Sequence, residues 1–143
     1  MYKKLLIMQT ISFIIMYSVM FLNVASLDHL YLSITRVYMA LLMVTPMVPL
    51  MILMMAGMYK NKKLNRVAIG LSTLIFVLSL LGLRSQWLIS DDQYMNAMIP
   101  HHSSAILTSQ RANIENPEVK KLSQEIIEAQ EREISLMKEL LGE

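Results

Sequence analysis

Three apolar runs, roughly Leu5 to Ala25, Val37 to Tyr59 and Val67 to Ile89, constrain this chain more than any other feature. Each has the about 20 residues that a helix needs to cross a hydrocarbon core about 30 Å thick. They make 55% of the 143 residues hydrophobic, too apolar for an ordinary soluble domain of this size. The expected fold class is all-α. Residues 1–89 would form a membrane domain with three transmembrane helices, at about 5–25, 37–59 and 67–89, and residues 90–143 a small polar domain. A Lys-rich start and small residues at Ala25-Ser26 also permit a signal-peptide reading of the first run. Its apolar stretch is longer than a usual signal core, so a retained span is expected.

The basic residues orient the chain. Lys3 and Lys4 precede the first run, and Lys60, Lys62, Lys63 and Arg66 crowd the loop between the second and third. The loop between the first two carries only Arg36, beside Asp28 and His29. The positive-inside rule puts the N-terminus and the second loop in the cytoplasm, and three crossings leave residues 90–143 outside it, on a multi-pass protein of the cell membrane. Residues 90–143 hold ten acidic and five basic side chains, and residues 1–89 eight basic and one acidic. Topology accounts for the basic excess, so nucleic acid is not an implied partner. The acidic outer part would either gather cations mildly or serve solubility alone.

Cysteine is absent. Any metal must be held by Met, His, carboxylate or backbone oxygen, which excludes zinc fingers and thiolate copper sites. The second run carries Met39, Met43, Met47, Met51, Met54, Met55 and Met58, of which Met47, Met51, Met54 and Met58 share a helical face within about 60°. That face reads either as a thioether ladder for Cu(I) or Ag(I) or as plain packing and lipid-facing methionine. Pro46 and Pro49 should kink or loosen the same helix. No charge lies deep within any run, and Arg84 near the end of the third can snorkel. An anchor is a better reading than an ion-coupled transporter.

The polar part should fold as two helices. Ser90 followed by Gln93 makes a capping box, and Asp91 and Asp92 suit the first turn of a helix running to about Ala112. Pro100 should bend it beside His101. Asn116 as N-cap and Pro117 as first residue open a second helix that runs to Leu141. Its apolar face holds Val119, Leu122, Ile126, Ala129, Ile134, Met137 and Leu140. Gln130 and Glu133 fall within that arc, as a solvated edge or as a buried polar pair that would find partners in the first helix's histidines. On the first helix Asp91, Met95, Met98 and His102 form one stripe within about 60°. Thioether, imidazole and carboxylate together have little value as core and suit a soft or borderline ion such as copper.

Asp91…Tyr94…Met98-Ile-Pro-His101-His102-Ser-Ser-Ala105-Ile106, then Asn116-Pro117-Glu118-Val119, then Gln130-Glu-Arg-Glu133-Ile134…Met137, resembles the family catalogued as domain of unknown function 305. The resemblance covers about residues 90–141 and implies a membrane-anchored branch with ferritin-like helical packing and a link to copper or silver. It implies a metal role for Met98, His101, His102 and Met137, and extends it to Asp91, Met95 and Glu133. The family often has methionine where this chain has Leu107, so a site that used that methionine would be poorer or altered here.

Two helices bury little core alone, and a ferritin-like bundle needs four. A homodimer of hairpins would supply them. The alternative is packing onto the loop between the first two runs, which contains His29, a residue otherwise expected in solvent. The leading functional expectation is a membrane-anchored extracytoplasmic site for Cu(I), Cu(II) or Ag(I), in tolerance or delivery. The other is a structural module in which His101 and His102 bond Gln130 and Glu133 without metal. An enzyme is not expected. No repeated Glu-x-x-His motif is present, and Ser103 and Ser104 beside a histidine in sequence do not make a nucleophile–base pair.

Overall fold

Asparagine and proline punctuation closes this chain into helices where the apolar runs alone would leave their ends open. The computed structural model describes residues 1–143, which form only helices: α1 Tyr2–Val19, α2 Ile34–Val44, α3 Met47–Met54, α4 Lys62–Ser85, α5 Asp91–Arg111 and α6 Pro117–Leu141, with a 3-10 turn at Leu27–His29. Asn61 caps α4 by accepting the N–H groups of Lys63 and Leu64 at 3.0 and 3.1 Å. Asn116 caps α6 through Glu118 and Val119, with Pro117 opening the first turn and Gly142 ending the helix at φ 81°. Both asparagines relieve donors that a helix start cannot pair internally.

The chain divides into two compact units, residues 1–20 with 35–88 and residues 21–34 with 89–143. In the first unit α1 begins beside the end of α3 and the start of α4. There the Tyr2 hydroxyl donates to Asn65 Oδ1 at 2.6 Å, and the Tyr2 ring meets Tyr59 edge-on at 5.4 Å. Leu5, Ile52 and Tyr59 form the buried cluster, with Val48, Met51 and Ile69 against it. At the other end Arg36 donates to the Met20 carbonyl, and the Tyr38 hydroxyl donates to the Trp87 carbonyl at 2.9 Å. Gly82 lets Tyr38 lie against α4, since a Cβ there would stand 2.8 Å from Tyr38 Cζ. These contacts set α1 and α4 antiparallel to α2 and α3.

Three spanning helices were expected, and two helical stretches meet the requirement: Ile34–Met54 with 21 residues and Lys62–Ser85 with 24, each at mean hydropathy 2.1. The first of these is broken at Thr45-Pro46, where the prolines remove backbone donors. The correction falls on α1. It carries Lys3 and Lys4 in its first turn and Gln9-Thr10 midway, and it stops at Val19 although the apolar run continues to Ala25. From Leu5 to Val19 the helix rises only about 22 Å, short of a hydrocarbon core of about 30 Å. The single methionine face of the second run is also not formed. Met58 lies beyond the end of α3, while Met54, Met55 and Met58 are exposed and Met51 packs into the core cluster.

In the second unit α5 and α6 form an antiparallel hairpin about Ile99, Ile106 and Ile134, with Ile127, Met137 and Leu141 packed against them. Within the chain, the cover on this hairpin comes from a loop. It is the segment 21–34, a strap that lays Tyr31 on the same cluster. The expected packing onto the loop that carries His29 is thus formed within the chain. Ser90 caps α5 at Gln93 N–H, but the reciprocal half of the expected capping box is absent, because Gln93 Oε1 instead accepts the backbone N–H of Ile34 at 2.9 Å. Pro100 is fully buried within one continuous α5.

Candidate functional site

Continuous helix geometry decides which of the sequence-predicted residues can meet. His102 sits one turn beyond Met98, so its ring folds back and Nδ1 donates to the Met98 carbonyl at 2.9 Å. Its Nε2 reaches across the hairpin to Glu133 Oε2 at 2.6 Å. Both neighbours are acceptors, so Nδ1 carries a proton and a second proton lies between Nε2 and the carboxylate. Such a charge-assisted bond is short and among the stronger kinds. His102 is 7% exposed, whereas the Glu133 side chain is 54% exposed. The bond therefore joins a fixed ring to a carboxylate with room to move.

His101 points elsewhere. It is exposed, with its ring edge-on to that of His102 at a centroid distance of 6.0 Å. Met98 is half-buried, and Met137, one turn beyond Glu133, packs against the Ile99–Ile106–Ile134 cluster. Met95 and Asp91 stand on the same stripe of α5, half-buried and exposed. At 1.5 Å per residue they lie about 10 and 16 Å along the axis from His102, too far to share one ion with it. Gln130 is half-buried, and the bond from His102 goes to Glu133 instead. Nowhere do three His, Asp or Glu side chains converge as a metal-holding group.

A second polar cluster escaped the sequence reading. Ser103 is 0% exposed, and its Oγ accepts the backbone N–H of Ala25 at 2.7 Å. Its own hydroxyl is then left to donate to His29 Nδ1 at 2.8 Å. That assigns the Nε2–H tautomer to His29, and Nε2 faces Asp28 Oδ2 at 3.6 Å. His29, expected in solvent, is a docked residue of the strap. Burial holds its pKa below the ordinary histidine value, Asp28 opposes that, and Lys138 reinforces it. The ammonium of Lys138 donates to Asp28, which keeps the Asp28 carboxyl well below the usual range, with help from the Ser26 hydroxyl. The Tyr31 hydroxyl donates to Glu143, and desolvation and that carboxylate push Tyr31 up to about 12.

Ser103, His29 and Asp28 thus stand in the order of a nucleophile, base and acid. The hydroxyl is sealed from solvent and already carries two hydrogen bonds, so the series works as a clasp between strap and helix. Asn23 extends the clasp by donating to Ser104 Oγ at 2.7 Å. The available signal was the grouping of Asn23, Asp28, His29 and Tyr31 in a short loop otherwise flanked by apolar residues.

Among known proteins, this chain is similar to an uncharacterized protein of Acanthamoeba polyphaga mimivirus, 32% identical over 144 residues that cover 99% of this chain and 93% of the relative. No solved structure matches it. A family model described as domain of unknown function, DUF305, matches residues 53–141, which adds the end of α3 and all of α4 to the hairpin stretch on which the resemblance was first read. With more than half its length under that match, including both histidines, Glu133 and Met137, the chain belongs to the DUF305 family.

Proposed function

We propose that this protein is a membrane-anchored, extracytoplasmic binder of copper or silver ions, in metal tolerance or delivery, with His102 as its central ligand. The disposition of the His102 ring carries the reading. Metal-binding histidines commonly donate one ring N–H to a backbone carbonyl, which fixes the tautomer and aims the other nitrogen at the ion. In His102 the Nδ1–H is given to Met98, and Nε2 shares a proton with an exposed carboxylate. A cation would replace that proton, with Glu133 swinging aside or remaining as an oxygen donor. His101 adds a second imidazole, and Met98 and Met137 are the nearest thioethers by helix position. Imidazole and thioether without thiolate suit Cu(I) and Ag(I) better than hard cations. Asp91 and Met95 fall outside the reach of that ion.

Anchoring would rest on α2–α3 and α4. Their outward surfaces carry Leu50, Leu53, Leu71, Leu74 and Leu78, all exposed, which suits lipid rather than water. With Lys60, Lys62, Lys63 and Arg66 held in the cytoplasm, the segment after α4 emerges on the opposite side. This orientation does not require α1 to cross.

Titration of the full chain in detergent with Cu(I) and with Ag(I), following bound metal and released protons, tests the proposal. Binding near one ion per chain with proton release is expected, weakened at least about tenfold in His102→Ala. Equal binding by the variant would remove His102 from the site. A second reading has the same bond as its support. Both ring nitrogens of His102 are already satisfied, so the pair can serve as a packing latch with no metal. In that case His102→Ala loses stability and neither protein binds metal.

A further inference from the structure

One face of α6 leaves Leu122, Ile126, Leu136 and Leu140 open on either side of a half-buried Ala129 and of Glu133, which bonds His102, and its pattern describes what would cover it. Leu122, Ile126, Ala129, Glu133, Leu136 and Leu140 follow one another at intervals of four, three, four, three and four residues. That is an unbroken heptad seam. It lies about 100° around the helix from the stripe of Ser123, Ile127 and Ile134 that faces α5. Leu122 is 54% exposed, Ile126 36%, Leu136 55% and Leu140 65%.

We infer that this seam pairs with the same seam of a second copy, the two α6 helices running antiparallel about a two-fold axis. The order of the side chains is the argument. Antiparallel pairing centred between Ala129 and Glu133 sets each Leu122 against the other copy's Leu140 and each Ile126 against its Leu136. It sets each Glu133 against Ala129, whose methyl leaves room for the carboxylate to keep its bond to His102. A shift by one heptad in either direction would press Glu133 onto a leucine, Leu136 or Leu122, so the single polar position selects the register. A two-fold interface needs a self-complementary surface of this kind. The seam runs about 27 Å, and half the girth of a helix about 11 Å across gives roughly 470 Å² per copy. That is somewhat over half of the about 800 Å² per partner of a standard interface, which makes the pairing specific but reversible. The inference stands whether or not His102 takes a metal.

The chain has no cysteine, so crosslinks report only introduced residues. Differently tagged full-length copies bearing Leu122→Cys and Leu140→Cys are mixed in detergent and treated with a short bis-maleimide. Crosslinking between unlike copies is expected, with only background between two Leu122→Cys copies. Adding Leu136→Lys, at an exposed position, should abolish the crosslink without loss of helical circular dichroism. Absence of the unlike crosslink, a preferred Leu122–Leu122 crosslink, or a crosslink indifferent to Leu136→Lys would each overturn the inference. So would a seam that stays monomeric and is shielded only when lipid vesicles are added.

Discussion

At the residue scale the second unit depends on two histidines held by different partners. His102 is bonded to Glu133, while burial, opposed by Asp28 and reinforced by Lys138, holds His29 below the ordinary histidine pKa, with its Nδ1 against the Ser103 hydroxyl. Removing His102 deletes a charge-assisted bond across the hairpin, so His102→Ala should lower the unfolding free energy by about 1.5–3 kcal/mol in denaturant titration. Glu133→Gln, which still offers an acceptor oxygen, should cost less. The pH dependence follows from the strap. A histidine whose folded pKa lies below 6.5 gives its full contribution above pH 6.5 and loses it as pH falls through the folded value. Asp28 acts in the same direction lower down, contributing above pH 3.8 and losing its share as pH falls further. Tyr31 acts oppositely, its contribution complete below pH 10 and lost as pH rises toward about 12. The unfolding midpoint should therefore fall below pH 6.5, and His29→Gln should flatten that limb, a comparison that a pH series of thermal melts would make. The His102–Glu133 bond was legible in the sequence because both residues lie on opposed helices at helical spacing. The His29–Ser103 bond was not, because it joins residues 74 apart through a loop with no periodicity.

At the element scale, starts and stops were more legible than what the elements pack against. Asn116-Pro117 and Gly142 delimit α6 as local chemistry requires, and α5 begins at Asp91 after its Ser90 cap. The end of α1 was hidden. Its apolar run continues into Phe21 and Leu22, but Asn23 and Ala25 are bonded to Ser104 and Ser103, and those bonds draw the chain out of the helix. Gln93 shows the same competition, since its predicted local role gives way to the N–H of Ile34. The approach of the Tyr38 ring from α2 to α4 rests on Gly82. A Cβ at that position meets the Tyr38 ring at 2.8 Å, and the ring is tied at its far end to Trp87. Gly82→Ala should overpack the contact and cost about 1–3 kcal/mol. The paired change Gly82→Ala with Tyr38→Leu, which frees the space, should recover part of the loss. Thermal stability of the full chain in detergent reads both, and an unaltered Gly82→Ala melt would count against the Tyr38 contact.

At the scale of the whole molecule, the proposed topology makes the side of the membrane reached by the hairpin depend on one basic loop. If α1 crossed, the N-terminus would share the cytoplasmic side with Lys60, Lys62, Lys63 and Arg66. The Tyr2 hydroxyl bonds Asn65 at the start of α4, so the N-terminus stands at the same end of the first unit as that loop, and a single helix, α4, separates the loop from the hairpin along the chain. On the proposed topology, the four basic side chains near the start of α4 set the hairpin's side whatever the path of α1. The consequence is testable with the same lack of native cysteine. Asn113→Cys, in the exposed turn between α5 and α6, should react with an impermeant maleimide in intact cells, and Lys60→Cys should react only after lysis. Replacing Lys60, Lys62, Lys63 and Arg66 together by glutamine should weaken or invert that preference, because the remaining charges no longer favour one orientation strongly. Labelling of Lys60→Cys but not Asn113→Cys in intact cells would place the hairpin in the cytoplasm. The histidine pair would then face reduced glutathione, a thiol competitor for Cu(I) and Ag(I), and imidazole with thioether would be a weak choice of donors for that compartment.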